Sequence, residues 1–155
     1  MQSKNEARKR ISVVHTTSVR EKTLLYGCRR ISNSQEAAAL GRKITDDWDK
    51  EVLVVCCLTS AMQPVSLEIV AIGVLDQCLV GMREVFRYAV LSHAAGIIVF
   101  HNHPSGDPAL SMEDIKISEQ MKKAGELLGI TVHDHIVLGD DDTFTSVAET
   151  IWNKN

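Results

Sequence analysis

Hydrophobic residues occur along the chain in short continuous runs, and segments with helical spacing separate these runs. The run EVLVVCCLTSAM, residues 51–62, is apolar over the length of a strand, which is typical of a strand buried on both faces. SLEIVAIGVL follows it after a turn near Gln63 and Pro64, so we expect an antiparallel hairpin. The shorter runs AAGIIVF and TVHDHIVLG predict two further buried strands.

Three other segments predict helices. SQEAAALGRKITDDW predicts a first helix over about residues 35–47, with Ser34 as its N-cap. Residues 82–93 predict a second helix, whose apolar face comprises Val85, Phe86, Ala89 and Val90. SMEDIKISEQMKKAGELLGI predicts a third helix that ends at Gly129, with near-helical apolar positions at Ile115, Ile117, Met121, Ala124 and Leu128.

The alternation of strands and helices, with one early hairpin, predicts an α/β or α+β fold around a mixed sheet. A turn, a short edge strand and a brief helix are expected after TVHDHIVLG. At 155 residues, with 45% hydrophobic and 24% charged residues, the chain is long enough for a domain with its own core. It has no membrane-length apolar run and no secretory signal at the N-terminus, so we expect a cytoplasmic protein without a membrane partner.

The four cysteines, Cys28, Cys56, Cys57 and Cys78, show no C-x-x-C spacing. Cys56 and Cys57 are adjacent in a predicted strand and would point to opposite faces. We therefore expect reduced, buried thiols. The apolar pattern singles out no interface strip, and the oligomeric state stays unknown.

Charge is distributed unevenly. Residues 1–30 hold eight Lys and Arg against two acidic residues, whereas the remainder holds nine against eighteen. We therefore divide the chain into a basic N-terminal arm, residues 1–20, and a domain over residues 21–155. A basic arm can bind phosphate backbones, although short polar termini are more often simply solvated.

The segment FHNHPSGDPALSMED carries the clearest chemistry. Alternate side chains of extended backbone share a face, so His101 and His103 can present ring nitrogens to one metal ion. The PSGDP turn brings the chain back, and Asp114, in the first turn of the next helix, is the natural third ligand. Two histidines and one carboxylate leave a position open for water, as in catalytic zinc sites.

The competing interpretation of this segment is structural. Ser111 and Asp114 fit a capping box, in which each side chain bonds the other residue's backbone amide. Taken alone, that pair is more often a cap, and a single H-x-H in a loop is more often incidental. Their coincidence in one short segment favours a metal site, and Ser111 could cap the helix while its hydroxyl faces that site.

A hydrolytic site also needs a general base. Glu51, at the border between the first helix and the first buried strand, is the candidate, with Glu68 and Glu84 as alternatives. A second H-x-H, His133 and His135, would share a face in a strand, but no comparable turn with a carboxylate follows it. We interpret that pair as structural or as support for the ligands. His15 and His93 have no such context.

These residues resemble the motif of the JAMM (MPN-plus) metalloprotease family, which is H-x-H, seven residues, Ser, two residues, Asp, with an upstream Glu. His101, His103, Ser111 and Asp114 match it without a gap. More narrowly, REVFRYAVLSHAAGIIVFHNHPSGDPALSMED and GITVHDHIVLGDDDTFTSVAE resemble the two best-marked stretches of the RadC family, whose bacterial members were historically called DNA-repair proteins. The resemblance extends over about residues 20–150.

The resemblance implies a cytidine-deaminase-like sandwich of the JAMM/MPN type, with Zn²⁺ held by His101, His103 and Asp114. It implies that Glu51 is the acid/base and that Ser111 donates to a developing oxyanion. We therefore expect a zinc-dependent hydrolase of the metallopeptidase or isopeptidase type, acting on a peptide or isopeptide substrate. The alternative is a DNA-repair-associated module with a structural or vestigial metal site, in which the basic arm contacts DNA.

Overall fold

The computed structural model describes residues 11–73 and 80–154. Residues 11–33 contain no helix or strand, and the rest forms one five-stranded sheet with helices on both faces. The strands are β1 (Val52–Leu58), β2 (Pro64–Ile72), β3 (Gly96–Asn102), β4 (Thr131–Leu138) and β5 (Phe144–Ser146). The helices are α1 (Ser34–Thr45), α2 (Met82–Leu91), α3 (Met112–Leu128) and α4 (Val147–Thr150), and a 3-10 turn follows at Trp152–Lys154.

The sheet has the order β2-β1-β3-β4-β5. β1 pairs with both β2 and β3 in antiparallel fashion, β3 and β4 are parallel, and β5 pairs antiparallel with β4. The early hairpin and the mixed sheet predicted from the sequence are therefore confirmed. The central position of β1 and β3 explains why both strands have continuous apolar runs, because each is covered on both faces.

Two hydrophobic clusters cover the two faces of the sheet. On one face, α1 packs over positions such as Val54, Cys56 and Phe100. On the other face, α2 and α3 pack over positions such as Val55 and Val99. Successive residues of β1 belong to different clusters, as strand geometry requires, so the fold is a sandwich of helix, sheet and helix.

The start of α1 differs from the prediction. Asn33, not Ser34, is the N-cap, and its side chain accepts a 2.8 Å hydrogen bond from the Glu36 amide. Ser34 already lies in the helix, where its hydroxyl donates to Glu149 over 2.6 Å. Both residue types form caps, and the extended backbone at Asn33 (φ −155°, ψ 169°) decides between them. The helix ends at Thr45, two residues before the predicted end.

Two predicted core positions are half exposed: Val90 at 50% and Leu128 at 51%. In α2, the buried residues are Val85, Phe86 and Ala89 alone, because the helix lies on the sheet along a narrow stripe. Leu128 is the last residue of α3, where Gly129 adopts the left-handed conformation (φ 68°) and turns the chain away.

Cys28, Cys56 and Cys57 carry free thiols. Burial, reinforced by neighbouring Cys57, raises the pKa of Cys56 to about 12, so this thiol stays protonated. Cys78 and residues 1–10 of the predicted basic arm lie outside the described residues. The domain boundary at residue 20 stays a prediction.

Candidate metal centre

His101 and His103 lie where β3 ends. His101 is almost completely buried and continues the β3–β4 ladder opposite Val137. The His103 amide donates to the Leu138 carbonyl over 2.8 Å, which extends the ladder by one more position. The backbone therefore stays extended across both histidines, and their side chains point to the face of the sheet that α2 and α3 cover.

Asp114 reaches the histidines from the start of α3. The predicted capping box is present: the Ser111 hydroxyl accepts from the Asp114 amide over 3.1 Å, and Asp114 Oδ2 accepts from the Ser111 amide over 2.8 Å. Because the cap uses Oδ2, it fixes the direction of the carboxylate and leaves Oδ1 to face His101. Asp114 Oδ1 lies 3.2 Å from His101 Nε2, and Oδ2 lies 3.5 Å from His103 Nε2.

The three side chains meet at one point. Their potential ligand atoms all lie within 4.8 Å of one another, and the two Nε2 atoms are 2.9 Å apart. His103 Nδ1 lies 2.7 Å from the Asp107 carbonyl oxygen, which can only accept, so Nδ1 carries the proton of the neutral ring. His103 Nε2 therefore presents a lone pair to Asp114 and His101.

Converging acceptors repel one another unless a cation lies among them. In the metal-free protein a proton can fill this role, and the hydrogen bond with Asp114 raises the pKa of His103 despite its partial burial. Burial alone would raise the pKa of the Asp114 carboxyl, but hydrogen bonds from His101 and His103, donated when their Nε2 atoms carry a proton, outweigh it and hold that pKa well below its usual range. Two imidazole nitrogens and one carboxylate oxygen also suit a zinc ion, so the residues present fit the implied metal.

A cavity of about 410 Å³ opens beside these groups and is lined by Glu51, His103, Ser111 and Asp114, among others. The structure thus brings Glu51 and Ser111 to the same cavity as His103 and Asp114. After the larger effects of Asp114 and Asp107, the charge of Glu51 also raises the pKa of His103.

Asn102, between the two histidines, holds the Glu51 backbone. Its Oδ1 accepts from the Val52 amide over 2.8 Å, and its Nδ2 donates to the Lys50 carbonyl over 3.0 Å. The amide side chain therefore bridges the residues on both sides of Glu51. The Gly73 amide donates to the Glu51 carbonyl over 2.8 Å from the neighbouring strand, so Glu51 is fixed from two sides.

The alternative acids lie elsewhere. Glu68 is on β2 and forms an ion pair with Arg87 of α2, and Glu84 is in the first turn of α2. Neither is among the described residues that line the cavity with Glu51 and His103. His15 is exposed in the irregular N-terminal segment, and His93 follows α2 with φ 52°; neither lines this cavity.

The second H-x-H pair separates. A bulge in β4 pairs Val132 with Ile97 and Asp134 with Ile98, which leaves His133 as the extra residue. The His133 ring lies over Gly96, on the face of Ile98, whereas His135 points to the other face. The expectation that both histidines share a face is therefore wrong, because the bulge breaks the alternation.

His135 lies directly behind His101. Its Nε2 atom is 2.8 Å from His101 Nδ1, and its Nδ1 atom is 2.5 Å from the hydroxyl of Ser118 on α3. Burial, reinforced by His101, lowers the pKa of His135 to about 3, so the ring stays neutral. Sequence reasoning missed Ser118 and Asn102; the available signal for Ser118 was a polar residue on the buried face of α3.

A second cavity, of about 500 Å³, adjoins the first at His103 and Pro104. Its walls come from the end of α1, the following loop and the β4–β5 turn. Its acidic lining residues are Asp46, Asp49, Asp140, Asp141 and Asp142. Arg42 donates to the carbonyl oxygens of Gly139 and Thr143 over 2.8 and 2.6 Å, which fixes the turn in place.

Comparisons with known proteins identify a family. The profile of the RadC-like JAB domain family matches residues 31–152. A UPF0758 protein of Methanosarcina barkeri is 39% identical over 112 residues, which cover 72% of this chain and 49% of that protein. A UPF0758 protein of Clostridium kluyveri is 40% identical over 111 residues, 72% of this chain and 49% of its own.

A UPF0758 protein of Desulforamulus reducens is 43% identical over 101 residues, which cover 65% of this chain and 44% of that protein. The chain thus spans about half the length of the curated relatives that it matches. Within residues 11–73 and 80–154, no helix has both the length and the apolar character needed to cross a membrane.

Proposed function

The chain belongs to the family of RadC-like JAB domains, and from this premise and the geometry of the site we propose that it is a zinc-dependent hydrolase of amide bonds in peptides or isopeptides. One observation carries the proposal. His101 Nε2, His103 Nε2 and Asp114 Oδ1 converge beside a cavity that Glu51 and Ser111 also line. Two of the proposed ligands, His103 and Asp114, thus border one space of about 410 Å³ together with Glu51 and Ser111, and His101 is buried next to them.

His101, His103 and Asp114 would hold the metal. A zinc ion bound by these residues would act as a Lewis acid, which lowers the pKa of a water molecule toward about 7 and polarises a carbonyl group. The buried position of His101 and the cap at Asp114 fix two of the three ligands before any metal binds. These two side chains then lose little conformational freedom when the metal binds, which favours affinity.

Glu51 would move the proton. Its carboxylate would accept a proton from the attacking water and deliver it to the nitrogen of the leaving amine, as general acid/base catalysis of amide hydrolysis requires. Asn102 supports this role because it holds the backbone on both sides of Glu51. The carboxylate is therefore mounted on the end of a buried strand rather than on a mobile loop.

Ser111 would stabilise the developing oxyanion. Within the cap, the Ser111 oxygen accepts from the Asp114 amide, which leaves the hydroxyl proton available to donate. A hydroxyl that lines the cavity can donate that proton to a substrate carbonyl oxygen as its charge grows. Capping the helix and serving the reaction therefore use different parts of the same group.

The charge around the site supports a peptide over a nucleic acid. Five aspartates line the second cavity, and Glu51, Glu113 and Asp114 line the first. Acidic walls repel a phosphodiester backbone and attract cationic side chains. DNA as a partner of the N-terminal arm stays a prediction, since only residues 11–20 of that arm are described, and these are exposed.

The first test is metal content. Protein purified without chelators or a nickel column should contain close to one zinc ion per chain by mass spectrometry, and His101→Ala should lose it. The second test is turnover of quenched peptide libraries and of lysine-ε-linked isopeptide probes. Glu51→Gln should retain zinc and lose about 10²- to 10⁴-fold in rate, whereas Glu113→Gln, which removes a charge from the same cavity, should stay within the wild-type order of magnitude.

Wild-type protein without zinc, or His101→Ala with wild-type zinc content, would overturn the proposal. Zinc binding without turnover of any amide probe would reduce the site to a structural metal centre. Equal losses of turnover in Glu51→Gln and Glu113→Gln would show that Glu51 is not the general acid/base.

A further inference from the structure

We propose that Ser118 and His135 form a directed hydrogen-bond relay that fixes His101 in the tautomer able to bind a metal. The inference rests on the metal-binding part of the proposed function and adds two positioning residues to it. Three elements take part: His101 is on β3, His135 on β4 and Ser118 on α3. His135 and Ser118 are completely buried, and His101 is 1% exposed.

The direction of the relay starts at Ser118. Its hydroxyl oxygen lies 2.5 Å from the Asp114 carbonyl oxygen and 2.5 Å from His135 Nδ1. A hydroxyl has one proton, and a carbonyl oxygen can only accept. If the proton pointed to His135, two oxygen acceptors would face each other at 2.5 Å, which is repulsive. Ser118 therefore donates to Asp114, and His135 Nδ1–H donates to Ser118.

The rest of the relay follows from this first step. With its proton on Nδ1, the neutral His135 ring has a lone pair on Nε2. That lone pair accepts from His101 Nδ1–H over 2.8 Å. The neutral His101 ring then has its own lone pair on Nε2, the atom that lies 3.2 Å from Asp114 Oδ1. His101 is thereby held in the tautomer that a metal requires.

The relay also closes a ring between two ligands. It begins at the main-chain carbonyl of Asp114, passes through Ser118 and His135, and reaches His101, whose Nε2 faces the Asp114 side chain. The relay thus ties β3 to α3 through hydrogen bonds on the Nδ1 side of His101 and leaves Nε2 free for a metal. In a buried site such bonds are strong and strongly directional, and a bond to the remote nitrogen of a metal-binding histidine fixes its orientation.

His133 provides a matched control. It is on the same strand as His135, two residues away, and is partly buried, whereas His135 is completely buried. Its ring lies over Gly96, at the opposite end of β3 from His101. A leucine at either position removes an imidazole from β4, but the change at 133 leaves the relay intact.

The test measures zinc affinity of the full chain by competition with a chromophoric chelator. His135→Leu, which keeps volume but cannot accept a hydrogen bond, should weaken zinc binding by about 10- to 100-fold. His135→Gln, whose amide oxygen can accept from His101, should recover part of the loss. Ser118→Ala should fall between His135→Gln and wild type, and His133→Leu should bind zinc like wild type.

A spectroscopic readout separates positioning from stability. Long-range ¹H–¹⁵N correlation of the imidazoles should show His101 protonated at Nδ1 in wild type and in His133→Leu. In His135→Leu the same ring should show a mixture of tautomers in the metal-free protein. If His135→Leu does not fold, Ser118→Ala and His135→Gln carry the same two measurements.

The results distinguish the inference from the proposed function. If wild type binds no zinc, the proposed function fails, and the tautomer of His101 still tests the relay. If wild type binds zinc and neither His135→Leu, His135→Gln nor Ser118→Ala changes its affinity, the relay is overturned while the proposed function stands. Equal losses in His133→Leu and His135→Leu would also overturn it, because loss of packing would then explain both.

Discussion

Replacing Asn102 by alanine should destabilise the fold and displace the proposed base while sparing the metal ligands. The side chain makes two hydrogen bonds, from the Val52 amide over 2.8 Å and to the Lys50 carbonyl over 3.0 Å. Each such bond contributes about 0.5–1.5 kcal/mol. Val52 is completely buried, so its amide would lose its partner out of contact with water. The expected loss in the free energy of unfolding is about 2–3 kcal/mol.

Urea unfolding of the metal-free protein measures this loss, and zinc affinity and turnover are measured on the same preparations. Asn102→Ala should lower turnover more than zinc affinity, because the two side-chain hydrogen bonds of Asn102 hold the segment that carries Glu51 and involve none of the proposed metal ligands. Asn33→Ala is the matched control. It also removes an asparagine bonded to the backbone, at the N-cap of α1, and should cost about 1 kcal/mol without changing turnover of the folded fraction.

Two results would refute this reasoning. An unfolding free energy within about 0.5 kcal/mol of wild type would show that the bridge over Glu51 contributes nothing measurable. Equal effects of Asn102→Ala and Asn33→Ala on turnover would show that stability alone, and not the placement of Glu51, accounts for the loss.

Further predictions concern the pH dependence of stability, the pH dependence of zinc affinity, the hydrogen bonds of Asp134 and the basic N-terminal arm. The pKa of His135 falls from 6.5 to about 3 on folding, so the unfolded chain binds the proton first as pH falls. The free energy of unfolding should therefore drop by up to about 1.4 kcal/mol per pH unit between pH 6.5 and pH 3. Urea unfolding across this pH range should show the drop, and His135→Gln should flatten it. Because the pKa of His103 is raised, protons should compete with zinc, and the zinc affinity should increase from pH 6 to pH 8. Calorimetry in buffers of different ionisation enthalpy should detect the protons that zinc binding releases. The Asp134 carboxylate accepts hydrogen bonds from the Ser146 hydroxyl over 2.6 Å and from two backbone amides. Asp134→Ala should therefore lower the free energy of unfolding by about 2–4 kcal/mol. A change below about 1 kcal/mol would contradict this expectation. If the basic arm binds DNA, deleting residues 1–20 should weaken a gel shift and its salt dependence, and an unchanged shift would exclude the arm.

The elements that the sequence predicted are those with local causes. β1 was evident because its central position in the sheet requires apolar residues on both faces. The start of α3 was evident because Ser111 and Asp114 form a reciprocal cap within four residues. Such features need no information about distant parts of the chain, so the pattern alone specifies them.

The features that the sequence could not supply depend on register. The partners of Asn102 are about fifty residues away and meet it only because β1 and β3 pair antiparallel with Leu53 opposite His101. The bulge at His133 depends on how β4 fits against β3, and it reverses the face of that residue. The choice of Asn33 over Ser34 as N-cap is also a matter of backbone conformation, since either side chain can accept the bond.

In this structure the helix cap and the proposed metal ligand are the same residue, Asp114. A capping carboxylate needs one oxygen for the backbone amide, and a metal needs one oxygen for coordination; Asp114 uses Oδ2 for the first and directs Oδ1 at His101. The cap removes the rotational freedom that the carboxylate would otherwise lose on binding a metal. The main-chain carbonyl of Asp114 accepts a hydrogen bond from Ser118. Through His135, this bond also holds the Nδ1 side of His101. The arrangement that begins the helix would therefore also set the geometry of the proposed ligands, and the capping and metal-site interpretations of this segment do not compete.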